Sequence, residues 1–134
     1  MANTSYYGAN KIADHLFGNS SLGLPSTWYV AVSSTAPQAN GTGVTEPTDP
    51  AYARIAISNN KTNFSTASNG TLANLLEKQF PESTINQGTL THWAIYDALS
   101  GGNFWYYGAL TNSRNVEVAT VLKLPVGELQ VTVS

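Results

Sequence analysis

The chain has 134 residues, enough for one compact domain, with a hydrophobic fraction of 42% and a net charge of −2. Charged residues make up only 10%, less than half the usual share of about 25%, and six basic against eight acidic residues without runs give no positive stripe for nucleic acid. Cysteine is absent, which removes disulfides, thiolate metal sites and thiol nucleophiles together. Asn, Thr, Ser and Gly take the place of charge. A surface this neutral does little to keep identical copies apart, so assembly into a homo-oligomer is expected. There is no apolar run long enough to span a membrane and no secretory pattern, so synthesis in the cytoplasm without a membrane partner is expected. Six N-x-S/T sequons, at Asn3, Asn19, Asn40, Asn60, Asn63 and Asn69, reflect this composition rather than glycosylation.

YYGANKIADHLFG places Ala9, Ile12, Ala13 and Leu16 at helical spacing, with Gly18 as a stop, which predicts a short amphipathic helix at about 7–17. TWYVAVSS alternates: Trp28, Val30 and Val32 point one way, Tyr29, Ala31 and Ser33 the other, as in a strand with one buried face. PQANGTGVTEPTDP, from Pro37 to Pro50, has no apolar period and reads as a long surface loop of the functional or mobile kind. YARIAIS resumes alternation, with Ile55 and Ile57 on one face and Tyr52, Arg54 and Ser58 on the other.

From Ser58 to Gly70 an Asn- and Ser-rich run holds a short extended piece at Phe64 and an Asn69-Gly70 turn. In LANLLEKQFP the residues Leu72, Leu75, Leu76 and Phe80 fit helical spacing, yet the flanking turns and Pro81 favour a strand or irregular ribbon.

THWAIYDALSGGNFWYYGALTN, residues 91–112, is the clearest hairpin and carries two of the three tryptophans. Trp93 and Ile95 fall on one face opposite His92, Ala94, Tyr96 and Ala98; across the Gly-Gly turn, Phe104, Tyr106 and Leu110 oppose Trp105, Tyr107 and Ala109. Trp93 and Phe104 read as core, whereas Tyr96, Trp105 and Tyr107 are the candidate interface, because a rigid ring with one polar handle suits protein contacts. Last, VEVATVLKLPVGELQVTVS gives two alternating runs, Val116, Val118, Leu122 and Leu124, then Leu129, Val131 and Val133, turned by Pro125 and Gly127. One helix and roughly seven strands predict a mainly β fold in a single domain, 1–134: an antiparallel β-sandwich, jelly-roll-like, or a partly closed barrel.

Catalytic chemistry has few candidates. His15 and His92 could join Asp14 or Asp97, but no H-E-x-x-H, paired-His or G-x-S-x-G pattern accompanies them. The simpler reading gives His92 a hydrogen bond across the sheet, sets His15 at the helix's polar boundary, and makes Asp97 a turn residue accepting backbone N–H groups. Gly101 and Gly102 lie between strands, so they form a turn rather than a phosphate cradle. No catalytic, cofactor or metal residue is predicted.

The order helix, WYVAVSS, polar loop, YARIAI, NGT, QFP and then Thr91, His92, Ile95, Asp97, Ala98, Ser100, Gly101, Gly102, Asn103, Gly108, Ala109 and Leu110 resembles a family of small virion proteins of tailed bacteriophages, often labelled tail fibre proteins. The resemblance runs over nearly the whole chain; the Pro-rich EPTDPAY departs from the Gly and Ser of relatives and would stiffen the loop. It implies a non-enzymatic structural protein of the phage particle whose partners are other virion proteins. Two readings follow. In the leading one the chain is a multi-copy capsid decoration or cement protein on the major capsid protein, its Trp and Tyr residues serving as anchors. In the alternative it is a tail-fibre or tail-tip module that binds host surface glycans.

Overall fold

The computed structural model describes residues 4–133. In chain order the elements are α1 (Tyr6–Gly18), β1 (Thr27–Ser33), β2 (Ile55–Ser58), β3 (Thr71–Leu72), β4 (Lys78–Gln79), β5 (Gly88–Tyr96), β6 (Phe104–Val116), β7 (Lys123–Leu124) and β8 (Val131–Thr132). The four longer strands form an antiparallel sheet in the order β2-β1-β5-β6, and the short ones pair as β3-β8 and β4-β7.

Alternation dictates which face of the large sheet is buried. Register sets Trp28 opposite Ile57 and Val30 opposite Ile55, then Val30 opposite Ile95 and Val32 opposite Trp93 on the next strand. These side chains meet Phe64, Phe80, Leu122, Leu124, Leu129 and Val131 from the short ribbons and their loops, which form the second layer of an open sandwich. Full burial of each such side chain contributes about 1.5–3 kcal/mol. A smaller cluster of Ala31, Ala94, Tyr96 and Phe104 occupies the other face, where Val44 of the long loop covers it.

The second layer has little ladder to satisfy its backbone, and side chains take over. Asn74, fully buried, donates its amide to the Leu76 and Pro125 carbonyls at 2.9 and 3.1 Å and accepts from Leu129 N–H at 2.9 Å. The expected ribbon at LANLLEKQFP is therefore irregular, with Leu75 and Leu76 exposed rather than on a helical stripe. Asn69 and Gly70 turn with φ of 54° and 77°, and Ser68 and Thr71 exchange backbone bonds of 2.9 and 3.0 Å across them. The alternation expected through Val116, Val118 and Leu122 breaks instead: β6 ends at Val116, Val118 is exposed, and Ala119 takes φ of 63°.

Helix α1 starts on a firm cap. The Ser5 hydroxyl accepts from Gly8 N–H at 3.0 Å and donates to the Phe104 carbonyl at 2.6 Å. Ser5 N–H bonds Trp105 O at 2.9 Å and Tyr6 N–H bonds Ala39 O at 2.8 Å, so the first turn is nailed to β6 and to the long loop. Gly8 lies against the sheet with no room to spare, since a Cβ there would stand 3.0 Å from Trp105 O. Beyond that turn the helix leaves the body. The stripe expected to bury Ile12 and Leu16 ends in solvent, with Leu16 66% and Phe17 90% exposed. Gly18 remains helical, and Asn19 supplies the left-handed C-cap, φ 55°.

Candidate functional site

Strict alternation would set Tyr96, Trp105 and Tyr107 on one face. The β5-β6 register interrupts it: Ile95 pairs with Tyr106 but Tyr96 pairs with Phe104, leaving Trp105 as the extra residue of a bulge. Trp105 consequently joins Tyr106 in the main core, while Phe104 moves to the opposite face with Tyr96 and Tyr107. Trp105 is only 3% exposed, wedged edge-on between Tyr7 and Trp28 at ring separations of 5.2 and 5.3 Å. Tyr96 is also buried, beneath the Arg54 guanidinium, whose carbon stands 3.8 Å from the ring centre. Tyr107, half-buried, stacks on Phe104 at 5.6 Å. The three candidate interface residues thus do not form one surface, and Tyr107 keeps the most access.

The turn between β5 and β6 is held by Asp97. Its carboxylate accepts from Asn103 N–H at 2.8 Å, the Asn103 amide at 2.9 Å and the Trp105 indole N–H at 3.2 Å. Burial pushes this carboxyl up, but the donors outweigh it and hold it below the usual carboxylate range. Gly102, at φ 77°, has no space for a side chain: a Cβ would come 2.7 Å from both Ala98 Cβ and Asp97 Oδ1. His92 differs from expectation. Its Nδ1 lies 2.7 Å from the hydroxyl of its own neighbour Thr91, not across the sheet, and burial lowers its pKa. His15, exposed, reaches Ser20 O at 3.0 Å beyond the helix end.

A cluster that sequence reasoning missed secures the loop of residues 34–54. Arg54 makes two bonds to Glu46, Nε to Oε1 at 3.0 Å and Nη2 to Oε2 at 2.9 Å, and its Nη1 donates to Ala98 O and Gly101 O at 2.8 and 2.9 Å. Tyr52 donates to Glu46 at 2.7 Å and accepts from Val32 N–H at 3.3 Å. Burial raises the Glu46 carboxyl, but the Arg54 and Tyr52 donors bring it below its ordinary value; burial and then Glu46 push the Tyr52 hydroxyl well up. Asp49, buried, accepts from the Thr84 hydroxyl, Ala51 N–H, Gln87 Nε2 and Thr84 N–H, and the hydroxyl foremost draws its carboxyl far down. The one available signal was scarcity: in a chain so poor in charge, Glu46 and Arg54 flanking one loop had few other partners.

Two hollows remain. A recess of about 280 Å³ is lined by Tyr6, Tyr7, Asn40, Gly41, Gly102 and Asn103 among others. Tyr6 is 64% exposed. The Asn40 side-chain oxygen is held by Thr42, N–H at 3.1 Å and hydroxyl at 2.7 Å. The second hollow, a cleft of about 400 Å³, opens at one end of the sandwich, and eight of its eleven lining residues are aliphatic or aromatic. Among the described residues no group of three or more His, Cys, Asp or Glu is placed to hold a metal, and no helix is long and apolar enough to cross a membrane.

The open antiparallel sandwich thus holds Glu46, Asp49, Asp97 and Arg54 in internal bonds. The chain belongs to the family described as Podophage GP4 fiber I protein gp80, whose model matches residues 3–132. It is accordingly a structural protein of a phage virion, of tail-fibre type. None of the curated proteins compared with it matches. The family's description agrees with the tail-fibre part of the second reading above, and says nothing of glycans or of capsid decoration.

Proposed function

We propose that the chain is a non-enzymatic tail-fibre module that joins other virion proteins and binds host surface glycans in the recess at Tyr6. The observation that carries this reading is the recess itself. An exposed tyrosine ring offers an apolar platform for the C–H face of a sugar, and Asn40, Asn103 and the glycine backbone beside it offer amide groups for hydroxyls. Gly41, at φ 90°, and Gly102 keep that wall low, because neither carries a side chain. Tyr107 is proposed as part of a contact with a neighbouring virion subunit, supported from beneath by Tyr96 through Phe104, while Trp105 stays in the core on the other side of the sheet and is no longer proposed as a contact.

The test is binding of the purified chain to surface polysaccharides of the host, alongside Tyr6→Ala. Tyr6 is exposed, so the variant is expected to fold as the parent does and to lose about tenfold or more in affinity. Equal binding by the parent and the variant would remove the recess from the reading, and no binding to any host polysaccharide would remove glycan recognition altogether.

A further inference from the structure

Asparagine precedes glycine at two places in the chain, Asn40-Gly41 and Asn69-Gly70, and threonine follows each pair. Such a pair is open to attack on the asparagine side-chain amide by the next backbone nitrogen, because glycine has no side chain to crowd the approach. Both glycines take left-handed conformations, φ 90° at Gly41 and 77° at Gly70, and both pairs are exposed. Local sequence and exposure therefore give the two pairs equal standing. Their hydrogen bonds separate them.

At the first pair the carbonyl and the attacking nitrogen are both engaged. Asn40 Oδ1 accepts from Thr42 N–H at 3.1 Å and from the Thr42 hydroxyl at 2.7 Å, which fixes the side-chain amide, and Gly41 N–H donates to Gln38 O at 3.0 Å. Gln38 N–H bonds Thr42 O at 2.8 Å and closes the turn around them. At the second pair the Asn69 side chain and Gly70 N–H have no hydrogen-bond partner among the described residues. The bonds that hold this turn lie outside the reacting atoms: Ser68 and Thr71 exchange theirs at 2.9 and 3.0 Å, and Val133 N–H donates to Gly70 O at 2.9 Å. The β3-β8 ladder that carries the turn pairs only two residues, so it opens locally at little cost.

We infer that Asn69 is a site of spontaneous deamidation and that the fold protects Asn40 from the same reaction. The Gly70 nitrogen, giving up its proton to solvent base, attacks Asn69 Cγ; the Cγ–Nδ2 bond breaks, and Nδ2 leaves as ammonia with a proton from water. The five-membered imide that results takes up one water. Opening of its bond between Cγ and the Gly70 nitrogen gives aspartate, and opening of the main-chain bond gives isoaspartate. Either product adds a negative charge to the turn. Isoaspartate also lengthens the main chain by one carbon between Ser68 and Thr71, which works against the bonds they exchange and against the β3-β8 pairing beyond them. A virion makes no protein, so altered copies accumulate in the particle as it ages. The inference is independent of glycan binding, because Asn69 and Gly70 lie outside the recess.

The test incubates the purified full chain in mildly alkaline buffer, folded and, in parallel, unfolded in guanidinium chloride. Samples are digested at acid pH and mapped by mass spectrometry, and isoaspartyl methyltransferase counts the isoaspartate. In the unfolded chain the two Asn-Gly-Thr sites are expected to convert alike. In the folded chain Asn69 is expected to convert about tenfold or more faster than Asn40, since three hydrogen bonds must be given up at Asn40 before attack. Equal rates in the folded chain, or a faster Asn40, would overturn the inference. So would an Asn69 that stays intact in the folded chain while both sites convert in the unfolded one, or a preference for Asn69 that persists undiminished on unfolding, which would place the difference in sequence rather than in these bonds.

Discussion

Gly108 stands opposite Trp93 in the β5-β6 register, and a Cβ on it would come 2.6 Å from the indole. Trp93 is fully buried and has nowhere to go. Gly108→Ala should therefore cost about 1–3 kcal/mol of overpacking, seen as a lower urea midpoint; an unchanged midpoint would mean that the indole yields. Arg54 makes the converse case, of a group whose removal strands its partners. Arg54→Ala leaves Glu46 without its cation and the carbonyls of Ala98 and Gly101 without a donor, at an expected cost of about 3 kcal/mol. Arg54→Lys should recover only part of that loss, because an ammonium cannot reproduce the paired bonds to one carboxylate while also reaching two carbonyls. Full recovery would show that charge alone matters. At this scale Asp97 and the two glycines of the turn were legible, since their chemistry is local. The Trp93–Gly108 fit joins residues 15 apart and has no signature in either one.

Among the elements, the long strands were readable because one face is buried and period-two alternation records it. The side on which Trp105 falls was not, because a single-residue bulge reverses every assignment beyond it without altering the pattern of residue types. The second layer was equally opaque: pairs of only two residues leave no alternation, and a buried amide such as Asn74 does the work of a ladder. The loop expected from Pro37 to Pro50, long and of the functional or mobile kind, is clipped in its second half, by Arg54–Glu46 and by Asp49. Those clips make a prediction in pH. Asp49, Glu46 and Asp97 all have carboxyls below their unfolded values, so in the window between the folded and unfolded values the unfolded chain binds more protons. The stability they contribute is complete above about pH 4–5 and is lost as pH falls through the folded values. His92, held low by burial, adds a shallower decline beginning below about pH 6.5. Urea midpoints between pH 7 and pH 3 should trace this fall, and Asp49→Asn, weaker at pH 7, should show a shallower one. An equally steep fall in Asp49→Asn would detach Asp49 from the acid response.

For the whole molecule, the residue pattern centred on 91–110 resembled that of a phage virion family and so implied a virion structural protein, low charge and absent cysteine being compatible with it, and the family match agrees with that class. Location on the particle was a different matter. The neutral surface suits a capsid cement protein and a fibre equally, and neither hollow can be read from spacing, because each is lined by segments distant in sequence. Fibre rather than capsid placement is the central claim, and immunogold labelling of purified virions with antibody to this chain tests it most directly. Gold confined to the tail fibres is the expected result; gold spread across the faces of the head would contradict it.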